Sequence, residues 1–201
     1  MENTKMEQGQ SYHIFNHANG SENIFRGEEN YRFFLQQYAK YLGEVVDTYA
    51  YCLMPNHFHL LVGVKQTSDL SGFQNLTGLI QHPSKNPAIK GFTDFFNSYT
   101  KAINKRFDRK GNLFIRAFKR TPILDERQWQ ETFLYIHLNP VKHGFVKDHR
   151  DWKWSSWHAY QNLNKPSNLD RAYFNNFFDS WEHVRNMMEV KKEWLMNKNL
   201  E

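Results

Sequence analysis

The chain has 201 residues, 40% hydrophobic and 16% aromatic, which is enough to bury one sizeable core. We expect neither a membrane span nor a signal peptide, because no apolar run is long enough. A single cysteine, Cys52, excludes an internal disulfide and favours a reducing, cytoplasmic location. The net charge of +5 permits an anionic partner without requiring one.

Three segments are predicted along the chain. Residues 1–10 are polar, and we expect them to be disordered. Residues 11–160 carry the periodic patterns of one domain, and residues 161–201 form a helical C-terminal extension. Apolar residues recur at helical spacing from about residue 170 to 195, a pattern that favours packing against the domain over ligand binding.

The first half of the chain predicts a strand, a helix and two strands. Tyr12 and Ile14 share one face of the first strand, residues 11–18. We interpret His13 and His17 as surface or substrate-facing residues and not as ligands. The elements that follow are a helix closed by Gly43 and two strands, over residues 28–42, 44–54 and 57–64.

The second half predicts mainly helices. In order, these elements are a helix at 69–80, a proline-containing loop at 81–91, a helix at 92–107, a strand at 113–123, a helix from Asp125 to Pro140 and a segment at 152–160. This order favours an α+β fold, with an antiparallel sheet and helices packed on one face.

A pair of histidines stands out on the strand at 57–64. His57 and His59 alternate with apolar residues and therefore share one face. Alternate side chains on a strand are close enough for two imidazoles to bind one metal ion. The pair is also compatible with two half-exposed polar residues that have no ligand. Asn56, just before it, is expected to fix the turn through its side chain.

The helix that begins at Asp125 carries the second candidate group. Asp125 is a suitable N-cap, and Gln128 can complete a capping box. We expect Pro140 to end the helix. Tyr135 and Asn139 lie one turn apart on one face, which suits a nucleophile and a ligand but also suits an ordinary amphipathic surface. His137 lies off that face, so we interpret it as a surface or DNA-facing residue.

A basic cluster precedes this helix, with phenylalanines interleaved. Basic side chains that follow phosphates, with aromatic rings available for stacking, suit single-stranded nucleic acid. A charged run is also typical of a solvated surface. The basic residues predicted to bind DNA are Lys101, Lys105, Arg106, Arg109, Lys110, Arg116, Lys119 and Arg120.

Three motifs in order carry a family resemblance. The stretch 54–62, Met-Pro-Asn-His-Phe-His-Leu-Leu-Val, resembles the His-hydrophobe-His (HUH) signature of single-tyrosine transposases. Residues 135–146 resemble their nucleophile helix. Residues 154–157, Trp-Ser-Ser-Trp, resemble a motif of the REP-associated tyrosine transposases. The resemblance covers residues 11–160 and implies a ferredoxin-like α+β core.

The resemblance also implies a reaction and a site. Tyr135 would attack single-stranded, hairpin-forming DNA and form a 5′-phosphotyrosine intermediate. His57 and His59 would bind a divalent metal ion, Mg²⁺ or Mn²⁺. Relatives often place glutamine one turn after the tyrosine as third ligand. Here that residue is Asn139, shorter by one methylene, with Glu131 on the same helix face as the alternative.

Two other functions stay open at this point. One is a catalytically silent relative that binds DNA, which the shorter Asn139 favours. The other is an RNA-binding module, since ferredoxin-like sheets with exposed aromatic residues also bind RNA. The longer C-terminal segment resembles that of the REP-associated group and favours a monomer over a homodimer. The DNA sequence recognised, and whether the protein mobilises itself or acts on dispersed repeats, are not specified by the sequence.

Overall fold

The computed structural model describes residues 5–66, 86–115 and 117–198. Its centre is a four-stranded antiparallel sheet in the order β2-β3-β1-β4. The strands are β1 Ser11–His17, β2 Val46–Met54, β3 His57–Val64 and β4 Lys119–Pro122. The helices are α1 Glu28–Leu42, α2 Pro87–Arg106, α3 Glu126–Lys142, α4 Trp157–Gln161 and α5 Trp181–Lys198. Short 3-10 turns lie at His149–Asp151 and Tyr173–Asn176.

The element order and strand order confirm the predicted α+β, ferredoxin-like fold. α1 connects β1 to β2, and α2 lies between β3 and β4 along the chain. Both helices pack on the same face of the sheet, where Phe58, Leu60 and Val62 of β3 join their aromatic side chains in one core.

The opposite face of the sheet is covered as well, which the prediction of helices on one face did not include. α3 lies across β2 and β3 on that face. Leu61 of β3 joins Trp129 and Phe133 of α3 in a second core. As a consequence β3, the strand with the two candidate histidines, is buried over its whole length.

Helix α2 begins earlier than predicted. Asn86 caps it, with its side-chain oxygen accepting hydrogen bonds from the backbone N–H groups of Ala88 and Ile89 at 3.0 and 3.2 Å. Pro87 occupies the first turn, where its missing N–H costs nothing. The loop prediction for residues 87–91 was therefore wrong. The predicted helix at 69–80 and residues 81–85 lie outside the described residues.

The strand predicted at 113–123 is also shorter in the structure, where β4 covers only Lys119–Pro122. The residues at the start of the predicted strand lie beside the end of β1 instead. Phe114 forms an isolated bridge with Ala18, and the Ile115 N–H donates to the His17 carbonyl at 3.1 Å. The segment after α2 thus lies beside the end of β1.

Helix α3 starts as predicted but ends later. The Asp125 carboxylate accepts a hydrogen bond from the Gln128 N–H at 2.7 Å, while Gln128 Oε1 accepts from the Leu124 N–H at 2.8 Å. Pro140 does not end the helix; it lies inside it, and α3 continues to Lys142. Gly144 ends the helix with φ +70°, a left-handed conformation that favours glycine.

The C-terminal extension docks on α3. Phe174, Phe178 and Met188 are buried in the second core. The ring of Phe177 stacks on Trp129 at 4.2 Å between centroids. The aromatic pattern of the extension is therefore used for packing, as its spacing predicted. No helix within the described ranges combines the length and apolarity needed to cross a membrane.

Candidate active site

His57 and His59 lie on the face of β3 that α3 covers. Their exposed fractions are only 3% and 4%. β3 lies between β2 and β1, and in the β1 register His57 is opposite His17 and His59 is opposite Phe15. The pair is therefore not half-exposed, and each ring nitrogen needs a partner beneath the helix.

Asn139 of α3 meets His57 across this interface. Asn139 Oδ1 lies 3.3 Å from His57 Nε2, and Asn56 Oδ1 lies 2.7 Å from His57 Nδ1. An amide oxygen only accepts hydrogen bonds, and a neutral imidazole has one N–H, so one of these two contacts joins two acceptors. The shorter distance favours the proton on Nδ1, towards Asn56, with the electron pair of Nε2 facing Asn139 Oδ1. Such a pair of acceptors is favourable when a cation lies between them.

The amide group of Asn139 also has an unused hydrogen-bond donor. Asn139 is fully buried, and its Nδ2 has no hydrogen-bond partner among the described residues. Glu131, the alternative ligand on α3, is half exposed and forms an ion pair with Lys191 of α5. The structure thus brings Asn139 next to His57 and directs Glu131 towards the C-terminal extension.

Tyr135 lies beside the same histidines, one turn before Asn139. Its ring is edge-on to that of His59, with 5.3 Å between centroids. The Lys142 ammonium lies 4.9 Å from the centre of the Tyr135 ring. A tyrosine, an amide and two imidazoles from β3 and α3 therefore converge, together with one positive charge.

Three histidines that the sequence analysis did not assign to the site also lie there. His13 Nε2 is 2.9 Å from His59 Nδ1, His17 stacks on His57 at 4.8 Å, and the His143 ring lies edge-on to His57 at 4.7 Å. We call His13, His17, His57, His59 and His143 the histidine cluster. In the sequence, only their shared strand face indicates that His13 and His17 could lie together. The β1–β3 register is what shows that they lie next to His57 and His59.

Desolvation favours the neutral form of these imidazoles. It lowers the pKa of His13 and of His57 to about 4 and the pKa of His59 well below its ordinary value. Burial also lowers the pKa of His17 and of His143. Neutral imidazoles retain an electron pair, the form that binds metals.

Within the described residues, no group of three or more His, Cys, Asp or Glu side chains is arranged to hold a metal ion. The candidate donor set is therefore two imidazoles and one amide. Such a mixed set, poor in negative charge, leaves room for an anionic ligand such as phosphate to complete the coordination.

His137 is a structural residue, so its prediction as surface or DNA-facing was wrong. It is fully buried. Its Nδ1–H donates to the Phe133 carbonyl at 2.9 Å, and the Ser156 hydroxyl donates to Nε2 at 2.7 Å. Ser156 Oγ also accepts from the Tyr51 N–H of β2 at 2.9 Å. The Trp-Ser-Ser-Trp segment thus ties α3 to the edge of the sheet.

The predicted DNA-binding residues divide into two groups. Lys101, Lys105 and Lys110 are exposed, and Lys119 lies 5.5 Å from the centre of the Phe15 ring, which itself stacks on His59. These four suit contact with phosphates near the cluster or along α2.

The arginines of the described part of this set contact other side chains of the protein. Arg106 pairs with Glu29 at 3.1 Å, and Arg109 pairs with Glu22 at 2.7 Å with a side chain that is only 9% exposed. Arg120 is half-buried against Phe118. Arg116 lies outside the described residues. Arg109 therefore contributes to the fold more than to a binding surface.

The fold and the site together define a class: a ferredoxin-like protein with a His-hydrophobe-His pair on its central sheet, facing a tyrosine on a helix. Comparisons with known proteins name the relatives. A protein of Haemophilus influenzae (strain ATCC 51907 / DSM 11121 / KW20 / Rd) called a putative REP-associated tyrosine transposase is 30% identical over 112 residues, 56% of this chain and 59% of the relative. The REP-associated tyrosine transposase of Escherichia coli (strain K12) is 34% identical over 68 residues, 32% and 41% of the two chains.

These matches confirm the predicted resemblance to REP-associated tyrosine transposases. The chain matches less than two thirds of the length of either curated relative. A solved structure of a REP-associated tyrosine transposase bound to a REP hairpin has the same fold, with a TM-score of 0.62 over 84% of this chain and 88% of that one at 17% identity. No family model matches the chain.

The buried histidines predict how stability depends on pH. Burial lowers the pKa of His137 to about 3 and that of His149, which is 1% exposed, to about 4. The unfolded chain binds these protons near pH 6.5, so unfolding takes up protons below that pH and stability falls as the pH is lowered. We expect the free energy of unfolding to drop by about 1.4 kcal/mol per pH unit for each histidine between pH 6 and 4.5.

Urea denaturation in EDTA at half-unit pH steps measures this slope. EDTA removes metal ions, so the protons of the site do not compete with a ligand. A free energy of unfolding that stays constant from pH 7 to 4.5 would contradict the buried, neutral state of these two side chains.

Proposed function

We propose that this protein is a metal-dependent tyrosine transposase that cleaves and rejoins single-stranded, hairpin-forming DNA. The observation that carries the proposal is the convergence of Tyr135 and Asn139 of α3 on His57 and His59 of β3. A nucleophile, together with two neutral imidazoles and an amide oxygen that can bind a cation, suits a metal-assisted phosphodiester transfer.

The relatives support the substrate. Both curated relatives are named transposases, and the solved structure with the same fold holds a REP hairpin. On this chain, exposed lysines at 101, 105 and 110 follow the second half of α2 and the loop after it. Clustered positive charge of this kind binds phosphates irrespective of sequence.

The metal would be held by His57, His59 and Asn139. The electron pairs of His57 Nε2 and Asn139 Oδ1, which face each other, suit a cation between them. The unpartnered Asn139 Nδ2 suits an acceptor, such as a phosphate oxygen, beside that cation. Nitrogen and oxygen donors suit Mn²⁺ better than Mg²⁺, although both are working ions for phosphoryl transfer. When bound, the ion polarises the scissile phosphate and offsets its negative charge.

Tyr135 is the nucleophile of the proposed reaction. Its phenolic oxygen gives up its proton to solvent and attacks the phosphorus atom. The bond from phosphorus to the 3′ oxygen breaks, and the departing 3′ oxygen takes up a proton from solvent. The products are a 5′-phosphotyrosine and a free 3′-hydroxyl. Attack by a second 3′-hydroxyl reverses the step and releases the tyrosine, so strand exchange needs no ATP. The Lys142 ammonium lies 4.9 Å from the centre of the Tyr135 ring, a cation–π contact that holds a positive charge beside the nucleophile.

The shorter Asn139 does not by itself favour a silent protein. The 3.3 Å approach of its Oδ1 to His57 means that α3 is packed close enough for a side chain one methylene shorter than glutamine. The silent DNA-binding relative remains the second candidate, and the RNA-binding module the third. Adduct formation separates the first from both, and competition between DNA and RNA hairpins separates the third.

A covalent-trapping assay tests the proposed reaction. End-labelled single strands from the DNA flanking the gene are incubated with protein and Mn²⁺ and run on a denaturing gel. We expect an adduct with the wild-type protein that disappears with EDTA, with Tyr135→Phe and with His57→Ala, because the nucleophile and a ligand are removed. Tyr41→Phe, a partly buried tyrosine of α1, is the matched control and should keep the adduct.

An adduct that survives Tyr135→Phe would assign the nucleophile elsewhere. Hairpin binding without any adduct, in the presence of Mn²⁺, would favour the silent DNA-binding protein.

Salt dependence tests the DNA-binding surface. Substituting Lys101, Lys105 and Lys110 together by glutamine should weaken hairpin binding and reduce the slope of log K against log salt by about 0.7 to 0.9 for each phosphate that the protein no longer neutralises. Arg109→Gln should instead lower stability and leave the slope unchanged, because Arg109 pairs with Glu22. Fluorescence anisotropy at several salt concentrations measures both, and equal slopes for wild type and the triple variant would place the DNA on another surface.

A further inference from the structure

We infer that His13 is a positioning residue that holds His59 in the tautomer able to bind a metal ion. The inference rests on the proposed function and adds to it a residue outside the three motifs. His13 lies on β1, distant in sequence from the histidine pair and the tyrosine, and the antiparallel pairing of β1 with β3 brings it to the site.

The sheet register explains the contact. Phe15 is the direct partner of His59, so His13 lies two residues along β1 on the same face. From there its ring reaches diagonally, with 5.1 Å between the two centroids and 29° between the ring planes. The resulting distance from His13 Nε2 to His59 Nδ1 is 2.9 Å, that of a hydrogen bond.

The direction of this hydrogen bond decides whether His59 can be a ligand. A neutral imidazole carries one proton, on either Nδ1 or Nε2. If the His59 Nδ1–H donates to His13, the electron pair of His59 Nε2 is free for a metal. If His13 donates instead, the proton of His59 is on Nε2 and that atom cannot ligate.

His57 shows the arrangement that the site uses. Its Nδ1 faces Asn56 Oδ1 at 2.7 Å and its Nε2 faces Asn139 Oδ1 at 3.3 Å, and both oxygens can only accept. The shorter contact favours the proton on Nδ1, which makes His57 Nε2 an electron-pair donor. His13 is the corresponding acceptor for His59. Each of the two candidate histidine ligands thus has a hydrogen-bond partner at Nδ1. Hydrogen bonds of this kind fix the ring orientation and tautomer of metal-binding histidines.

His13 also contacts the nucleophile. Its ring lies edge-on to that of Tyr135, with 5.9 Å between centroids and 76° between planes. Tyr135 is therefore packed against His13 and His59 together. A substitution that keeps a ring at position 13 preserves this packing, which allows the hydrogen bond to be tested separately.

Two substitutions separate the hydrogen bond from the packing. His13→Phe keeps a ring of similar size and removes the acceptor, whereas His13→Gln removes the ring and restores an acceptor in the amide oxygen. His17→Phe is the control, because His17 packs on His57 by its ring face and is not the partner of His59 Nδ1.

The first readout needs neither metal nor DNA. Nitrogen-15 NMR of the histidine rings, in EDTA, reports which nitrogen carries the proton. We expect wild type, His13→Gln and His17→Phe to hold the His59 proton on Nδ1. In His13→Phe the proton should move to Nε2 for a substantial part of the population.

The second readout is the affinity for Mn²⁺, measured by EPR titration. We expect affinity to fall about 10- to 100-fold in His13→Phe and to recover substantially in His13→Gln. A wild-type His59 with its proton on Nε2, or an unchanged tautomer and affinity in His13→Phe, would overturn the inference.

The tautomer, the Mn²⁺ affinity and the covalent adduct together distinguish failure of the inference from failure of the proposed function. If the tautomer and affinity change as expected but the wild-type protein forms no covalent adduct, His13 positions a metal ligand in a protein that is not a transposase. If the adduct forms and His13→Phe behaves as wild type in both readouts, the reaction stands and the role of His13 is refuted.

Discussion

The packing of α3 across the central strand β3 is the interaction on which the site depends. It buries His57 and His59 almost completely, and a buried polar atom without a partner is costly. Asn56 and His13 supply partners for Nδ1 of the two rings. With the proton of His57 on Nδ1, its Nε2 electron pair faces Asn139 Oδ1, an arrangement that suits a cation. The Asn139 Nδ2 group has no hydrogen-bond partner among the described residues and suits an acceptor, such as a phosphate oxygen.

The rest of the chain holds α3 in this place. Asp125 caps its start, and the hydrogen bonds from His137 through Ser156 to Tyr51 tie its middle to the sheet edge. The C-terminal extension buries Trp129 from the other side. In the proposed reaction Tyr135 must be positioned to within a fraction of an ångström, and a helix fixed from several sides achieves this better than a loop.

The sequence predicted the sheet and the core of the site because alternation on strands and spacing on helices are local properties. It placed Tyr135 and Asn139 on one helix face. It could not show that α3 covers the sheet, so it predicts a surface position for His137, which is in fact buried. Nor could it give the register of β1 with β3, and without that register His13 and His17 are two isolated histidines.

Magnetic resonance of bound Mn²⁺ tests the central claim, that two imidazoles and an amide beside Tyr135 hold the metal. Electron spin-echo spectroscopy counts the imidazole nitrogens attached to the ion. The account predicts two in the wild-type protein and one in His59→Ala, with weaker binding in Asn139→Ala because one oxygen donor is removed. Mn²⁺ that binds tightly without coordinated imidazole would contradict it, since the metal would then lie away from β3 and α3.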